Sequence, residues 1–253
     1  MRGISYLCRK TQNITNRATM EYGLEKLGHF VKIIDREDVL NIPIDTEDIF
    51  YGNVGYIQEV FKKFGYYYNP IGSVPKDLLH LADRSIEKTT VSDAILRSQK
   101  EPIFVKPIDI NSKCFTGFVL GKKPLDVSNL VCYENLGHNE VYISSVITIV
   151  SEWRCFIHNK KVIDGKNYKG DFKIFPDYSV AEEAAQTWKN APIAYSCDIG
   201  ITDKGKSVLI ECNDMPSLGL YGLDGILAAK MLEDRWVEIH KNKKFLEIEE
   251  NVY

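Results

Sequence analysis

The most constraining feature of the sequence is residues 194–214, where two apolar runs flank a short polar segment at 203–206. This pattern predicts two antiparallel strands joined by a tight turn, with the first and last residues of 203–206 paired. Counting outwards puts Asp198 directly opposite Glu211. Asn213 lies two residues beyond Glu211 and therefore shares its face. The alternate residues are apolar and predict a core-facing side made of Cys197, Ile199, Ile201, Val208, Ile210 and Cys212.

The polar face of this predicted hairpin is a cluster of oxygen-bearing side chains, Asp198, Glu211 and Asn213. Such ligands suit Mg²⁺, which prefers one or two carboxylates together with substrate phosphates. Two carboxylates directly opposite each other repel unless a cation lies nearby. The alternative is a solvated outer face without a metal.

A second feature is Lys106, which lies in the apolar run 102–107. Lysine is rarely buried unless it is paired. At a strand end it can reach a phosphate as a point charge. A lysine that extends its ammonium to solvent from an edge strand would have the same pattern. The polar turn 111–117 that follows could cover phosphates, but it has too few glycines for a Walker A loop.

A third feature is the pair Glu152 and Arg154 in the predicted strand 152–157, which we expect to pair antiparallel with 141–150. Residues two apart in a strand share one face. The two side chains could form a structural ion pair with each other. Alternatively they could contact a ribose and a phosphoryl or carboxylate group, for which arginine has a suitable bidentate fork.

The chain divides into two predicted parts at a connector rich in tyrosine, proline and glycine, 66–75. Before it, apolar runs and helical repeats alternate, which predicts a small parallel α/β unit. After it, short apolar strands dominate, preceded by a helix near 76–86. We therefore expect an α+β fold with domains at 1–72 and 73–253.

The composition excludes several classes of protein. The 253 residues carry a formal net charge of -3, which argues against a basic nucleic-acid binder. The cysteines contain no CxxC pair, so a zinc knuckle is not expected. The most apolar stretch is shorter than the ~20 residues that span a bilayer, and the first residues lack a signal-peptide pattern. We expect a cytoplasmic protein without nucleic-acid or membrane partners.

Taken in order, these motifs resemble the ATP-grasp superfamily. The run PIFVKP, the acidic-x-Arg segment SEWRCFI and the segment IECNDMPSLG follow one another as in that family, across almost the whole chain. GSVPKDLLHLADR resembles a bacterial and phage clade in which arginine replaces the first phosphate-binding lysine. The resemblance implies an ATP-grasp fold after a small parallel α/β domain, and the host cytoplasm if a phage encodes the chain.

For the phosphates, the resemblance implies that Arg84 and Lys106 hold the α- and β-phosphates of ATP. A solvated helix arginine would give the same pattern at Arg84. Ser112 and Lys113 would lie in a mobile loop over the phosphates. This loop departs from the family pattern because its only glycine is Gly117.

For the base and ribose, the resemblance implies a hinge at Ser145, Val146 and Ile147 whose backbone binds adenine. Glu152 would bind the ribose hydroxyls. The sequence has Ser145 where relatives often carry an acidic residue. We therefore expect recognition of adenine through the backbone rather than through that side chain.

For the reaction, the resemblance implies an ATP-dependent carboxylate–amine ligase that forms an amide or peptide bond through an acylphosphate and releases ADP and phosphate. Asp198, Glu211 and Asn213 would hold Mg²⁺. Lys106 and Arg154 would be catalytic, with Arg154 facing the γ-phosphate or acylphosphate. Amino acids or peptides are the expected substrates. The alternatives are a phosphotransferase with a hydroxyl acceptor and a module that binds ATP without turnover.

Overall fold

The computed structural model describes residues 3–9, 14–66, 72–108, 115–121 and 126–241. Within these residues the strands are β1 (Ile4–Cys8), β2 (Phe30–Ile34), β3 (Ile49–Tyr51), β4 (Gly72–Ser73), β5 (Ile86–Thr90), β6 (Ile103–Pro107), β7 (Phe118–Leu120), β8 (Glu140–Ser145), β9 (Ile149–His158), β10 (Lys161–Gly170), β11 (Ala194–Thr202) and β12 (Ser207–Asp214). The helices are α1 (Ile14–Lys26), α2 (Val54–Phe64), α3 (Val91–Ser98), α4 (Asp126–Asn135), α5 (Ser179–Thr187) and α6 (Gly225–Lys241), with short 3-10 helices at Arg36–Leu40, Lys76–Leu81 and Met215–Ser217.

The first sheet is parallel, with strand order β2-β1-β3, and matches the predicted α/β unit. Asn53 accepts a hydrogen bond from the N–H of Tyr56 and begins α2, and Gly65 ends it in a left-handed conformation. The core over this sheet also includes Trp236 of α6. Helix α6 packs against α1 so closely that a Cβ at Gly23 would clash with the carbonyl of Gly225, and a Cβ at Gly225 would clash with the carbonyl of Thr19.

The second sheet has five strands in the order β10-β9-β11-β12-β4, and neighbours are antiparallel. All residues of β11 are buried, because strands flank it on both edges and cores cover it. β4 pairs only with Cys212 and Asn213, so it covers one end of the outer edge of β12. The predicted domain boundary between residues 72 and 73 falls within β4 and stays a prediction.

The third sheet has four antiparallel strands in the order β5-β8-β6-β7 and a smaller core of its own. The prediction that 141–150 pairs with 152–157 is wrong. β8 ends at Ser145 in this sheet, and β9 begins at Ile149 in the five-stranded sheet. The predicted helix near 76–86 is a 3-10 helix that ends at Leu81. Together the three sheets and their helices confirm the expected α+β class.

No helix among the residues described has the length and apolar character needed to cross a bilayer. The described cysteines are all free thiols, and most of them are buried. The buried ones behave as small core residues, whereas Cys132 is exposed.

Candidate functional site

A cleft of about 850 Å³ lies between the four-stranded and five-stranded sheets. The four-stranded sheet contributes Phe104 and Lys106 to its lining, and the five-stranded sheet contributes Glu152, Arg154 and Glu211. Sequence-predicted residues that line the cleft are Arg84, Lys106, Ser145, Val146, Ile147, Glu152, Arg154, Glu211 and Asn213. The remaining described one, Asp198, is almost fully buried beneath it. Ser112 and Lys113 lie outside the described residues.

The β11–β12 hairpin carries a β-bulge that changes its register. Near the turn, the N–H of Thr202 donates to the carbonyl of Lys206 at 2.9 Å. Asp203 is therefore not the partner of Lys206, and that predicted pairing is wrong. Beyond the bulge, Asp198 lies directly opposite Glu211, which confirms the prediction for the two carboxylates.

The extra residue of the bulge is Ile210. Its side chain lines the cleft, whereas Leu209 is buried in the core with Cys197 and Cys212. The prediction that Ile210 shares the core face of Cys197 and Cys212 is wrong, and so is the same prediction for Val208, which pairs with Gly200 on the face of Asp198. The inserted residue reverses which side chains of β12 face the core on the turn side of the bulge. Ile210 thereby becomes part of the apolar lining of the cleft.

Asp198 is held by Arg154, its direct neighbour across β9 and β11. Nε and Nη2 of Arg154 donate to the two oxygens of Asp198 at 2.8 and 2.6 Å. Arg154 is only 7% exposed and Asp198 only 1%. Burial raises the pKa of Asp198 to about 6, although the charge of Arg154 opposes the shift. An ion pair of Arg154 with Glu152, one of the two alternatives that the sequence left open, is not the arrangement found, because Arg154 forms a bidentate pair with Asp198 across the sheet.

Glu211 is held from the opposite sheet. The ammonium of Lys106 lies 2.5 Å from Oε2 of Glu211 and also donates to the carbonyl of Gly72. Burial alone would raise the pKa of Glu211, but the charge and hydrogen bond of Lys106, the hydrogen bond from Asn213 and the charge of Arg154 together outweigh it, so this pKa is lowered. Lys106 is thus paired rather than solvated, and its ion pair bridges the two walls of the cleft.

Asn213 completes the oxygen cluster. Its Nδ2 lies 3.2 Å from Oε1 of Glu211 and 3.5 Å from Oδ2 of Asp198. Two carboxylates and one amide therefore converge, and this donor set fits a hard divalent cation. Among the described residues no three His, Cys, Asp or Glu side chains form a possible metal site. A cation here would thus need Asn213 and phosphate oxygens as further ligands.

Arg84 contacts backbone carbonyls. Nη1 donates to the carbonyls of Leu209 and Ala82 at 2.8 and 3.1 Å, and Nη2 donates to that of Ile210 at 2.9 Å. Burial lowers the pKa of Arg84, and the nearby charge of Glu211 opposes this shift. Arg84 also lines the cleft, and its predicted contact with phosphate stays a prediction.

Glu152 accepts hydrogen bonds from Tyr168 and Lys169 at 2.7 and 2.5 Å, so it lies at the cleft wall with both oxygens engaged. The ring of Tyr168 stacks on that of Tyr221 at 5.1 Å, and the guanidinium of Arg154 lies 5.0 Å from the Tyr221 ring. Tyr221 has a φ of 48°, an uncommon conformation for a residue other than glycine. The sequence did not predict that these two tyrosine rings stack on each other beside the guanidinium of Arg154.

Ser145, Val146 and Ile147 lie where the chain passes from β8 to β9, that is, from one sheet to the other. The apolar side chains of Phe104 and Ile149 line the cleft beside them. Sequence reasoning missed these two, because an apolar residue in a strand normally indicates core. For Phe104 one signal was present in the sequence: it lies two residues before Lys106 in the same strand, so the two side chains share the face that lines the cleft.

The two facing sheets, the cleft between them and the preceding parallel sheet define the class of ATP-grasp proteins. The model of the ATP-grasp domain, R2K clade family 2, matches residues 81–231, and the chain belongs to this family. The expected ATP-grasp fold is thereby confirmed. A search of curated proteins gives no match.

Three solved structures show the same fold at low identity. A D-alanine–D-alanine ligase from Bacillus anthracis is 14% identical, with a TM-score of 0.55 over 96% of this chain and 100% of that one. D-cycloserine synthetase DcsG is 12% identical, with a TM-score of 0.59 over 92% and 100%. A RimK domain ATP-grasp protein from Sphaerobacter thermophilus is 11% identical, with a TM-score of 0.54 over 93% and 100%.

Proposed function

We propose that the chain is an ATP-dependent carboxylate–amine ligase, with an amino acid or peptide among its substrates. The observation that carries the proposal is the cleft in which Lys106 and Glu211 meet, with Asp198 and Asn213 beside them. Membership of an ATP-grasp family supports ATP as the nucleotide. The cleft supplies charge of both signs at one position, as an Mg-ATP site requires.

In this proposal the nucleotide lies along the cleft with its base at the crossing between the sheets. The backbone of Ser145, Val146 and Ile147 binds adenine between the apolar side chains of the two walls. Glu152 accepts from the ribose hydroxyls, for which it must exchange Tyr168 or Lys169 as donor. The ammonium of Lys106 lies at the oxygen cluster, 2.5 Å from Oε2 of Glu211, and its charge would stabilise the phosphates there.

Asp198, Glu211 and Asn213 would hold Mg²⁺ in this proposal. When bound, this cation neutralises phosphate charge and polarises the transferred phosphoryl group. The structure pairs the two carboxylates with Lys106 and Arg154, so positive charge already lies beside both of them. Movement of the Lys106 ammonium from Glu211 to phosphate would free that carboxylate as a ligand.

The reaction transfers the γ-phosphoryl group and then breaks the new acylphosphate. A carboxylate oxygen of the donor forms a bond to the γ-phosphorus, and the bond from that phosphorus to the β-phosphate bridging oxygen breaks, which releases ADP. The acceptor amine then attacks the carbonyl carbon and loses a proton, and phosphate departs with the former carboxylate oxygen. Lys106 and Arg154 contribute the positive charge that offsets repulsion between the carboxylate and ATP.

The names of similar structures support this substrate class. They include D-alanine–D-alanine ligases, a D-cycloserine synthetase and an ATP-grasp ligase, PsnB, complexed with a minimal precursor at a TM-score of 0.56. Each name describes that protein. For this chain, the shared fold and the charge pattern of the cleft favour the same kind of condensation.

The test is an oxygen-transfer experiment with Mg-ATP and pooled amino acids and peptides whose carboxylates carry ¹⁸O. We expect ADP, a new amide detected by mass spectrometry, and one ¹⁸O in each released phosphate. Phosphate without label would contradict the acylphosphate route. A phosphorylated hydroxyl product without phosphate release would favour a phosphotransferase, and binding of ATP without any product would favour a non-catalytic module. Glu211→Gln serves as the inactive control.

A further inference from the structure

The carbonyls that Arg84 binds belong to Ile210, the extra residue of the bulge, and to Leu209, which precedes it. Consecutive carbonyls of a regular strand point to opposite edges, so one side chain cannot reach both. In β12, one guanidinium binds the carbonyls of Leu209 and Ile210 at 2.8 and 2.9 Å. The bulge turns these two carbonyls in the same direction, and Arg84 satisfies both of them with the planar fork of its guanidinium.

Arg84 occupies the part of the β12 edge that β4 leaves uncovered. β4 pairs with Cys212 and Asn213, and no other strand of the described residues pairs with this edge of β12. A second link lies next to it, because Asp83 forms an ion pair with Lys206 at 2.6 Å. The segment that carries Asp83 and Arg84 therefore contacts the hairpin at two points, the turn residue Lys206 and the bulge in β12.

We infer that Arg84 is a positioning residue that holds the Leu209–Ile210 bulge and so keeps Glu211 opposite Asp198. On the turn side of the bulge, Ile199 pairs with Leu209. The next residue of β11, Asp198, pairs with Glu211 because the bulge leaves Ile210 without a partner. The position of Glu211 therefore depends on the bulge. Arg84 therefore acts on the metal cluster through the backbone of β12. This inference rests on the proposed function, since it assigns a role in Mg-ATP binding.

The first test compares Arg84→Lys with wild type for ATP binding, with Mg²⁺ and with EDTA. Lysine keeps the charge but cannot bind two carbonyls with a planar fork. We expect the strengthening of ATP binding by Mg²⁺ to fall about 10-fold to 100-fold, as for other groups that orient metal ligands. The dissociation constant in EDTA should stay the same. A variant with the wild-type response to Mg²⁺ would overturn the inference.

The second test combines Arg84→Lys with deletion of Ile210. The deletion makes the strand regular and leaves Glu211 opposite Asp198, so Arg84 has no bulge to hold. We expect Arg84→Lys to have no further effect on the Mg²⁺ response in this background. Equal effects of Arg84→Lys in both backgrounds would mean that Arg84 acts on phosphate directly, and the inference would fail.

Hydrogen exchange keeps the inference testable if the deletion variant does not fold. We expect Arg84→Lys to speed amide exchange in 207–213 by about 10-fold, because lysine cannot bind both carbonyls of the bulge with a planar fork. Arg97→Lys is the matched control, since Arg97 is exposed and pairs with Asp93 and Glu87. Unchanged exchange in Arg84→Lys would contradict the inference. Wild type that binds no Mg-ATP would overturn the proposed function instead, because the exchange measurement needs no nucleotide.

Discussion

The two walls of the cleft hold their charged groups in different ways. On the five-stranded sheet, Asp198 and Arg154 are buried and fixed to each other by two hydrogen bonds. On the four-stranded sheet, Lys106 is the one charged side chain among the described strand residues that line the cleft, and it is 25% exposed. The first wall is a rigid, preorganised electrostatic surface, whereas the second supplies one long and adjustable side chain.

This difference suits the two parts of a nucleotide. Oxygen ligands for a cation must be held closely in place, and β11 is buried along its whole length. A base needs a slot whose walls can approach it, and the four-stranded sheet has the smaller core. The ion pair between Lys106 and Glu211 connects the walls, so loss of this contact on nucleotide binding would couple the phosphates to the cluster.

The largest expected effect is on stability, from Asp198→Asn on the rigid wall. This change leaves the buried guanidinium of Arg154 without its carboxylate, which destabilises a protein by about 3–5 kcal/mol. The free energy of unfolding in urea measures it. Asp83→Asn is the control, because its exposed ion pair with Lys206 should contribute only about 1 kcal/mol or less. Equal losses in the two variants would remove the contrast between buried and exposed pairs.

The next effect concerns the adjustable wall, where Lys106→Met should change binding more than stability. We expect ATP affinity to fall about 10-fold to 100-fold, since a charged hydrogen bond contributes about 1.5–3 kcal/mol. The free energy of unfolding should change by about 1 kcal/mol or less, because the pair is partly exposed. Calorimetric titration with ATP measures the affinity. Lys88→Met, at an exposed ion pair of the same sheet, is the control and should bind ATP as wild type does.

The smallest effect is expected at the hinge, with Val146→Ala. The proposal gives this residue a backbone contact only, and the residue is 37% exposed. Surface substitutions of this kind change free energies by about 0.5 kcal/mol or less. ATP affinity should therefore stay within about 3-fold of wild type, given that 1.4 kcal/mol corresponds to 10-fold. A loss of 10-fold or more would mean that the side chain itself recognises the base.

The sequence could predict the side of the hairpin that carries the oxygen cluster, because side chains alternate along a strand. It could not predict the bulge at Ile210, since neither glycine nor proline marks it and it ends an unbroken apolar run that begins at Val208. The faces of Leu209 and Ile210 were therefore exchanged in the prediction. Asp198 nevertheless lies opposite Glu211. The turn partner of Lys206 is Thr202 instead of Asp203, which shifts the register by one residue, and the bulge shifts it back by one residue.

Contacts between distant segments were beyond reach of the sequence for a different reason. The partners of Arg84 are backbone carbonyls, which every residue carries, so no residue type indicates them. The apolar run through 141–150 looks continuous, and nothing in it shows that the chain changes sheets after Ser145. Lys106 and Glu211 carry opposite charges, but only the facing sheets bring them together.

The most direct test of the account is ATP binding to wild type and Glu211→Gln, each titrated with Mg²⁺ and with EDTA. Glutamine keeps the size of the side chain and removes the carboxylate. We expect Mg²⁺ to strengthen ATP binding to wild type by at least about 10-fold and to lose this effect in the variant. Affinity in EDTA should not fall. Equal strengthening by Mg²⁺ in both proteins would contradict a metal-nucleotide site on the buried wall of the cleft.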